Sequence, residues 1–207
     1  GLISMAFAAV FMARQSDLKR MLAYSSVEHM GILALALGIG KGALFGALLH
    51  MINNGLTKGV LFLSSGNIHR AYASKSTEFI RGVLRRTPWS GALFLAAFLA
   101  ITGSPPFGPF ISEFTIVSNA FVQGDNWAGG LFLLFLLVIF IGMASTVLPV
   151  VLGTVPADAE ATDYRDTSAT VLPLLVLMGA VLMLGVWLPL PLQTLLHDAA
   201  ALLGGNR

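Results

Sequence analysis

The sequence predicts an all-α, polytopic transmembrane helix bundle of about five full spans plus the end of a sixth, one of them a broken helix. Three observations predict it. Of 207 residues, 56% are hydrophobic and 11% are charged, whereas a soluble domain carries roughly 25% charged residues. The mean hydropathy is +0.83. The apolar residues gather in stretches of near-bilayer length separated by polar loops, as helices crossing ~30 Å of hydrocarbon require. Residues 1–207 read as a single membrane domain.

Residues 1–13 are too short to span and read as the end of a helix. The chain opens on Gly1 inside this apolar run, without a basic start, short apolar core and cleavage site. The expectation is the C-terminal part of a larger subunit; a subunit that is short by nature is the other reading. After the polar turn RQSDLKR, spans follow at about 21–39 and 43–65. A long polar segment, NIHRAYASKSTEFIRGVLRRTPWS, comes next. Residues 90–121 are apolar on both sides of SPPFGPF. Pro105, Pro106 and Pro109 lack backbone donors, which with Gly108 predicts a break around 104–109. Unpaired backbone survives in a membrane only where it packs in protein or lines a wet cavity. Spans at about 128–152 and 169–189 complete the set, and LPLQTLLHDAAALL reads as an interfacial amphipathic segment.

The net charge of +2 is small, and nothing suggests a nucleic-acid face. Arg14, Lys19 and Arg20 lie in the first loop, and Arg70, Lys75, Arg81, Arg85 and Arg86 in the third. The second has Lys41 alone and the fourth, QGDNW, has no Lys or Arg. Positive-inside counting places the first and third loops in the cytoplasm, and with them the acidic fifth loop, PADAEATDYRD. The chain has no cysteine, which excludes disulfides, thiolate-held iron–sulfur clusters and cysteine-ligated nickel within it.

Ionisable groups inside the apolar stretches carry the functional signal, because a charge at mid-bilayer costs ~2.5–3.5 kcal/mol on insertion scales. His50, Asn54 and Lys58 recur every four residues, so they share a helix face. Consecutive members sit ~6 Å apart, too far for direct proton hops, so bridging waters are required. Asn53 and Thr57 flank the stripe, and Gly46, Gly55 and Gly59 admit close neighbours or water. The plainer reading has His50 bonded to backbone and Lys58 reaching to the interface. Glu113 follows the break; in the first turn of the second half-helix it would be stabilised by the helix dipole, as a proton carrier or as a cap. Glu28 and His29, with Tyr24, Ser25 and Ser26, form a polar cluster early in their span, either part of a half-channel or an interfacial anchor. His69 and His197 lie at membrane edges and read as solvated. A zinc site needs three or four clustered ligands, and the four histidines lie on different elements. Phosphate-cradling and dinucleotide motifs are absent from the sequence.

At QSDLKRMLAYSSVEHMG, LLHMINNGLTKGVLFLSSGNIHR and ITGSPPFGPFISEF the chain resembles the antiporter-like membrane subunits of respiratory complex I, Mrp sodium–proton antiporters and membrane-bound nickel–iron hydrogenases. The resemblance runs along essentially the whole chain and implies the C-terminal two-fifths of a full subunit, from the end of the ninth helix through the fourteenth. It implies that His50 and Lys58 hold the central relay positions of the eleventh helix. Asn54 stands where many members have a second histidine, which weakens a two-histidine relay. Glu113 matches the acidic or lysine group of the broken twelfth helix, taken in the family as the end of the outward half-channel. Glu28 in YSSVEHMG, where complex I members usually read SHMG, together with INNGLTKGVLFLSSGNIHRAY, looks most like the hydrogenase-4 component F branch.

The function implied is proton translocation within a hydrogenase-4-like or NADH dehydrogenase (quinone)-like complex. Its expected partners are other membrane subunits, peripheral redox subunits, the lipid bilayer and protons or sodium, in a prokaryotic inner membrane. The chain itself is expected to hold no cofactor and no metal, and to be a non-redox member of an oxidoreductase complex. An Mrp-type sodium–proton antiporter subunit and a non-conducting scaffold are the alternatives.

Overall fold

A computed structural model of the chain describes residues 1–13, 15–40, 42–74, 76–155 and 162–204. Among these, the helices are α1 (Leu2–Met12), α2 (Leu18–Ile39), α3 (Gly42–Tyr72), α4 (Val83–Arg86), α5 (Pro88–Ile101), α6 (Gly108–Val122), α7 (Asn126–Leu152), α8 (Ser168–Val186) and α9 (Leu190–Gly204). The only β pairing among the described residues is an isolated bridge between Asp17 and Ser76. The all-α class is as expected. By length and apolarity alone, α2, α7 and α8 qualify as membrane spans. Two further predicted spans correspond to α3, whose buried polar residues lower its hydropathy, and to α5 with α6, which the break divides.

The long α3 is the axis of the bundle, with α2, α5, α6, α8 and α9 packed around it. It has 31 residues, about 46 Å of helix, and runs through NIHRAY, which sequence reading gives to a polar connection. The polar residues there find partners inside the protein. Asn67 donates to Ser90 Oγ at 3.0 Å and to the Thr170 carbonyl at 3.4 Å. Ile68, Ala71 and Tyr72 are buried with Phe94 and Phe98 of α5 and Leu174 of α8 in the main apolar core. His69 is half-buried and bonds the Ser74 carbonyl at 2.8 Å. The α9 segment folds back on the N-terminal half of α3: His197, exposed, stacks on Phe45 with ring centroids 4.3 Å apart, and Leu196 is buried.

The break falls where the prolines place it, at 102–107. α5 closes in a Schellman motif: Gly103 N–H donates to the Ala100 carbonyl, and Ser104 N–H to the Leu99 carbonyl. Gly103 has φ +70°, the left-handed backbone that glycine tolerates. The non-helical residues are only partly packed in protein: Thr102, Gly103, Ser104 and Phe107 are half-buried, while Pro105 and Pro106 are exposed and have no backbone N–H to satisfy. A Cβ on Gly185 of α8 would collide with the Pro106 carbonyl, and one on Gly108 would collide with the Asn53 amide.

One end of the bundle gathers the first, third and fifth loops. Thr77 donates through both N–H and Oγ1 to the Ser16 carbonyl, each at 2.9 Å. Thr162 Oγ1 donates to the carbonyls of Arg70 and Ala71. At the other end, Gly42 abuts Asn119, and Gly38, Ile39, Asp125 and Trp127 line one cavity. The loops therefore alternate between ends as the charge bias predicts. Arg14, Lys41 and Lys75, and residues 156–161 of the fifth loop, lie outside the described residues.

Candidate functional site

The polar residues of α3 are buried: His50, Asn53 and Thr57 completely, with Lys58 at 8% and Asn54 at 9% exposure. Lys58 does not reach for an interface. Its ammonium donates to the Leu22 carbonyl at 2.6 Å, to Ser26 Oγ at 3.1 Å and to Ser25 Oγ. Three acceptors on one turn of α2 saturate its three protons, so the snorkelling alternative is overturned. Glu28, 2% exposed, lies close enough to interact with Lys58 through charge.

The hydrogen-bonded string does not run down the α3 stripe as expected but crosses between helices. His50 Nε2 lies 3.0 Å from His29 Nδ1 on α2, and His50 Nδ1 lies 3.0 Å from Ser112 Oγ on α6. The network assigns the protons. Ser112 has one hydroxyl proton, and it donates to the Pro109 carbonyl at 2.8 Å. Ser112 Oγ therefore accepts from His50 Nδ1–H. In the neutral ring Nε2 of His50 is then a lone-pair acceptor, and His29 Nδ1–H donates to it. The outer nitrogen of His29, Nε2, has no partner among the described residues.

Glu113, 5% exposed, closes the cluster. One oxygen of its carboxyl and one ring nitrogen from each of His29 and His50 lie within 4.8 Å of one another. Gly103 makes this possible, since a Cβ there would strike Glu113 Oε2. Glu113 Oε1, both amide atoms of Asn53 and Asn54 Oδ1 also lack partners. Buried polar atoms in this state are the places where bound water usually completes a hydrogen-bond network.

Several expectations are corrected here. Glu113 is the sixth residue of α6, which starts at Gly108, so it lies in the second turn and beyond the strongest field of the helix dipole. Glu28 and His29 are core residues, so the interfacial-anchor alternative fails. The histidines are not all scattered: two of them, with Glu113, present a donor set that a metal ion could use. As it stands, that set is internally bonded, since the ring-to-ring hydrogen bond occupies one nitrogen of each imidazole. Asn54 lies on the stripe but outside the string; the second histidine beside His50 comes from α2. Of the glycines, Gly46 meets Ile116 and Ser112 of α6 and Gly59 meets Leu177 of α8, while Gly55 faces open space. Sequence reading missed Ser112. Its signal was its place beside Glu113 in ISEF, one turn after Pro109.

Residues 1–142 match the family described as NADH:quinone oxidoreductase/Mrp antiporter, transmembrane. The chain belongs to this family. It is 42% identical over 125 residues to the hydrogenase-4 component F homolog of Methylacidiphilum infernorum, a match covering 59% of this chain and 26% of that protein. It superposes on a chain of respiratory complex I from Thermus thermophilus with TM-score 0.80 and 25% identity, over 99% of this chain and 44% of that one. A chain of the membrane-bound sulfane sulfur reductase, an archaeal respiratory membrane complex, matches with TM-score 0.84 and 25% identity, over 96% and 40% of the two chains. The family member thus spans less than half of either solved chain. Membership, together with its apolar spans, makes it an integral membrane protein.

Proposed function

We propose that the chain is part of a proton-translocating membrane subunit of a hydrogenase-4-like or NADH-quinone oxidoreductase-like respiratory complex. Electron transfer occurs in partner subunits, and this chain moves protons without a redox group of its own. The observation that carries the reading is the His29–His50–Ser112 string, with Lys58, Glu28 and Glu113 around it, all buried within a membrane bundle. Groups so costly to bury in a membrane mark ion and proton paths.

The proton assignment gives the string a direction of travel. A proton arriving at His29 Nε2 makes that ring cationic and releases Nδ1–H toward His50. His50 then passes its Nδ1 proton to Ser112 Oγ as the Ser112 hydroxyl turns from the Pro109 carbonyl and gives up its own proton, through water, to an ionised Glu113. Waters held by Asn53, Asn54 and Glu113 Oε1 complete the connections that side chains alone leave open. After each passage the rings must return to their starting tautomers, which paces repeated transfer. Lys58 and Glu28 bias the entry: displacement of charge at Lys58 changes the field at His29.

The proposed partners are other membrane subunits and peripheral redox subunits of one complex, in a prokaryotic inner membrane with the Lys/Arg-rich loops in the cytoplasm. A sodium–proton antiporter component is the second reading, favoured by the breadth of the family description. The full-length subunit in its native complex, reconstituted into vesicles, decides between them. Proton uptake driven by electron transfer, unchanged when sodium is replaced by choline, supports the first. Proton movement that requires a sodium gradient and no electron donor supports the second.

A further inference from the structure

A cavity of about 700 Å³ opens at the end of the bundle that carries the first and third loops, between the start of α5 and the fifth loop. Arg85, Arg86 and Arg165 line it, with Trp89, Tyr164 and Asp166. The Arg86 guanidinium is held over the Tyr72 ring, 4.6 Å from its centroid, while Arg85 and Arg165 are exposed. The carboxylate among the described lining residues is held by backbone and hydroxyl donors. Asp166 Oδ2 accepts from the N–H groups of Trp89 and Ser90, each at 3.1 Å, and Oδ1 accepts from Ser90 Oγ at 2.6 Å. Asp166 therefore caps the N-terminus of α5, and the exposed Arg85 and Arg165 make no ion pair with a described residue. The Tyr164 hydroxyl is buried there without a hydrogen-bond partner among the described residues.

A second, apolar hollow of about 330 Å³ adjoins this cavity, sharing Trp89 and Asp166 and continuing over Val171, Leu172 and Leu175 of α8. Trp89 is 58% and Leu172 61% exposed, and α8 is a membrane span, so this hollow faces hydrocarbon. Guanidinium forks match phosphate oxygens, and Trp and Tyr favour the headgroup level of a bilayer. A free phosphate would use the arginines and leave the apolar hollow unexplained. A neutral lipid would use the hollow and leave the arginines unexplained.

We propose that the arginine-lined cavity and the hollow beside it form one binding site for an anionic glycerophospholipid, with its phosphate between Arg85 and Arg165 and an acyl chain along Trp89, Leu172 and Leu175. The site lies at the loop end of the bundle, where basic pockets between helices hold lipid headgroups, and ties the fifth loop to the start of α5.

Native mass spectrometry of the purified full-length subunit tests it, with phosphatidylglycerol, phosphatidylcholine and inorganic phosphate as probes. The wild type should retain one phosphatidylglycerol at collision energies that strip phosphatidylcholine. The double variant Arg85→Gln/Arg165→Gln should bind phosphatidylglycerol at least tenfold more weakly. Leu172→Trp, which fills the hollow and leaves the arginines intact, should weaken it as well. Equal retention of the two lipids by the wild type, or wild-type retention of phosphatidylglycerol by the double variant or by Leu172→Trp, would overturn the proposal. Displacement of phosphatidylglycerol by millimolar inorganic phosphate would reassign the cavity to free anions and overturn it too.

Discussion

His29 and His50, on neighbouring helices and 21 residues apart in sequence, meet ring to ring with Nδ1 and Nε2 at 3.0 Å in a fully buried setting. Neither ring has this contact by virtue of its own helix. It exists because α2 and α3 are rotated to bring Glu28–His29 and the His50 stripe to a common line, with Ser112 of α6 fixing the outer nitrogen of His50.

His50→Ala should therefore act on two levels. It leaves His29 Nδ1 and Ser112 without their partner, and an orphaned buried group costs ~1–3 kcal/mol. The purified subunit should lose thermal stability, and proton transport should fall at least tenfold. His50→Gln should restore part of the stability but not the transport, because an amide bonds without carrying a proton. Equal recovery of both would make His50 structural.

Gly103→Ala should damage the site from outside it. The left-handed φ costs a non-glycine residue ~1–2 kcal/mol, and the added methyl collides with the Glu113 carboxyl. Gly130→Ala, a helical glycine with open space at its Cβ, is the control and should behave as wild type. Thermal unfolding in detergent and transport assays should separate the two variants; equal behaviour would contradict the packing described for the break.

Ser25→Ala should expose the dependence of Lys58 on α2. A hydrogen bond to a charged group is worth ~1.5–3 kcal/mol, and Lys58 would retain only the Leu22 carbonyl and Ser26. Transport should decrease several-fold with assembly intact. Unchanged transport would mean that Ser25 merely tolerates the ammonium.

The helices themselves were legible in the sequence, since stretches such as 128–152 are apolar throughout and Pro105, Pro106 and Pro109 announce a break wherever they occur. The extension of α3 to Tyr72 was not, because the groups that satisfy Asn67 lie 23 and 103 residues away. His50, Lys58 and Glu113 were legible as costly buried charges. Their partners were not, because a helix pattern states which residues share a face and leaves open what that face meets. Here, close approaches at Gly42, Gly46 and Gly108 seat α6 against α3, which sends Ser112 to His50.

The arrangement of the loops is open to a covalent test, since the chain has no native cysteine. Ser16→Cys with Thr77→Cys should form an intramolecular disulfide on mild oxidation, because their backbones are hydrogen-bonded at 2.9 Å. Thr77→Cys and Gln123→Cys, introduced singly, should label from opposite faces of intact cells with an impermeant thiol reagent. Failure to cross-link, or labelling of both from one face, would reject the topology.

The central claim is that the buried string conducts protons, and substitutions at the two ionisable groups Lys58 and Glu113 beside it test it most directly. Lys58→Met keeps the length of the side chain without its amine, and Glu113→Gln keeps the shape of the acid without its proton. In the full complex reconstituted into vesicles, both should assemble normally and lower proton transport at least tenfold per electron transferred, while Glu113→Asp retains a measurable part. Wild-type proton transport by both Lys58→Met and Glu113→Gln, in fully assembled complex, would contradict the account.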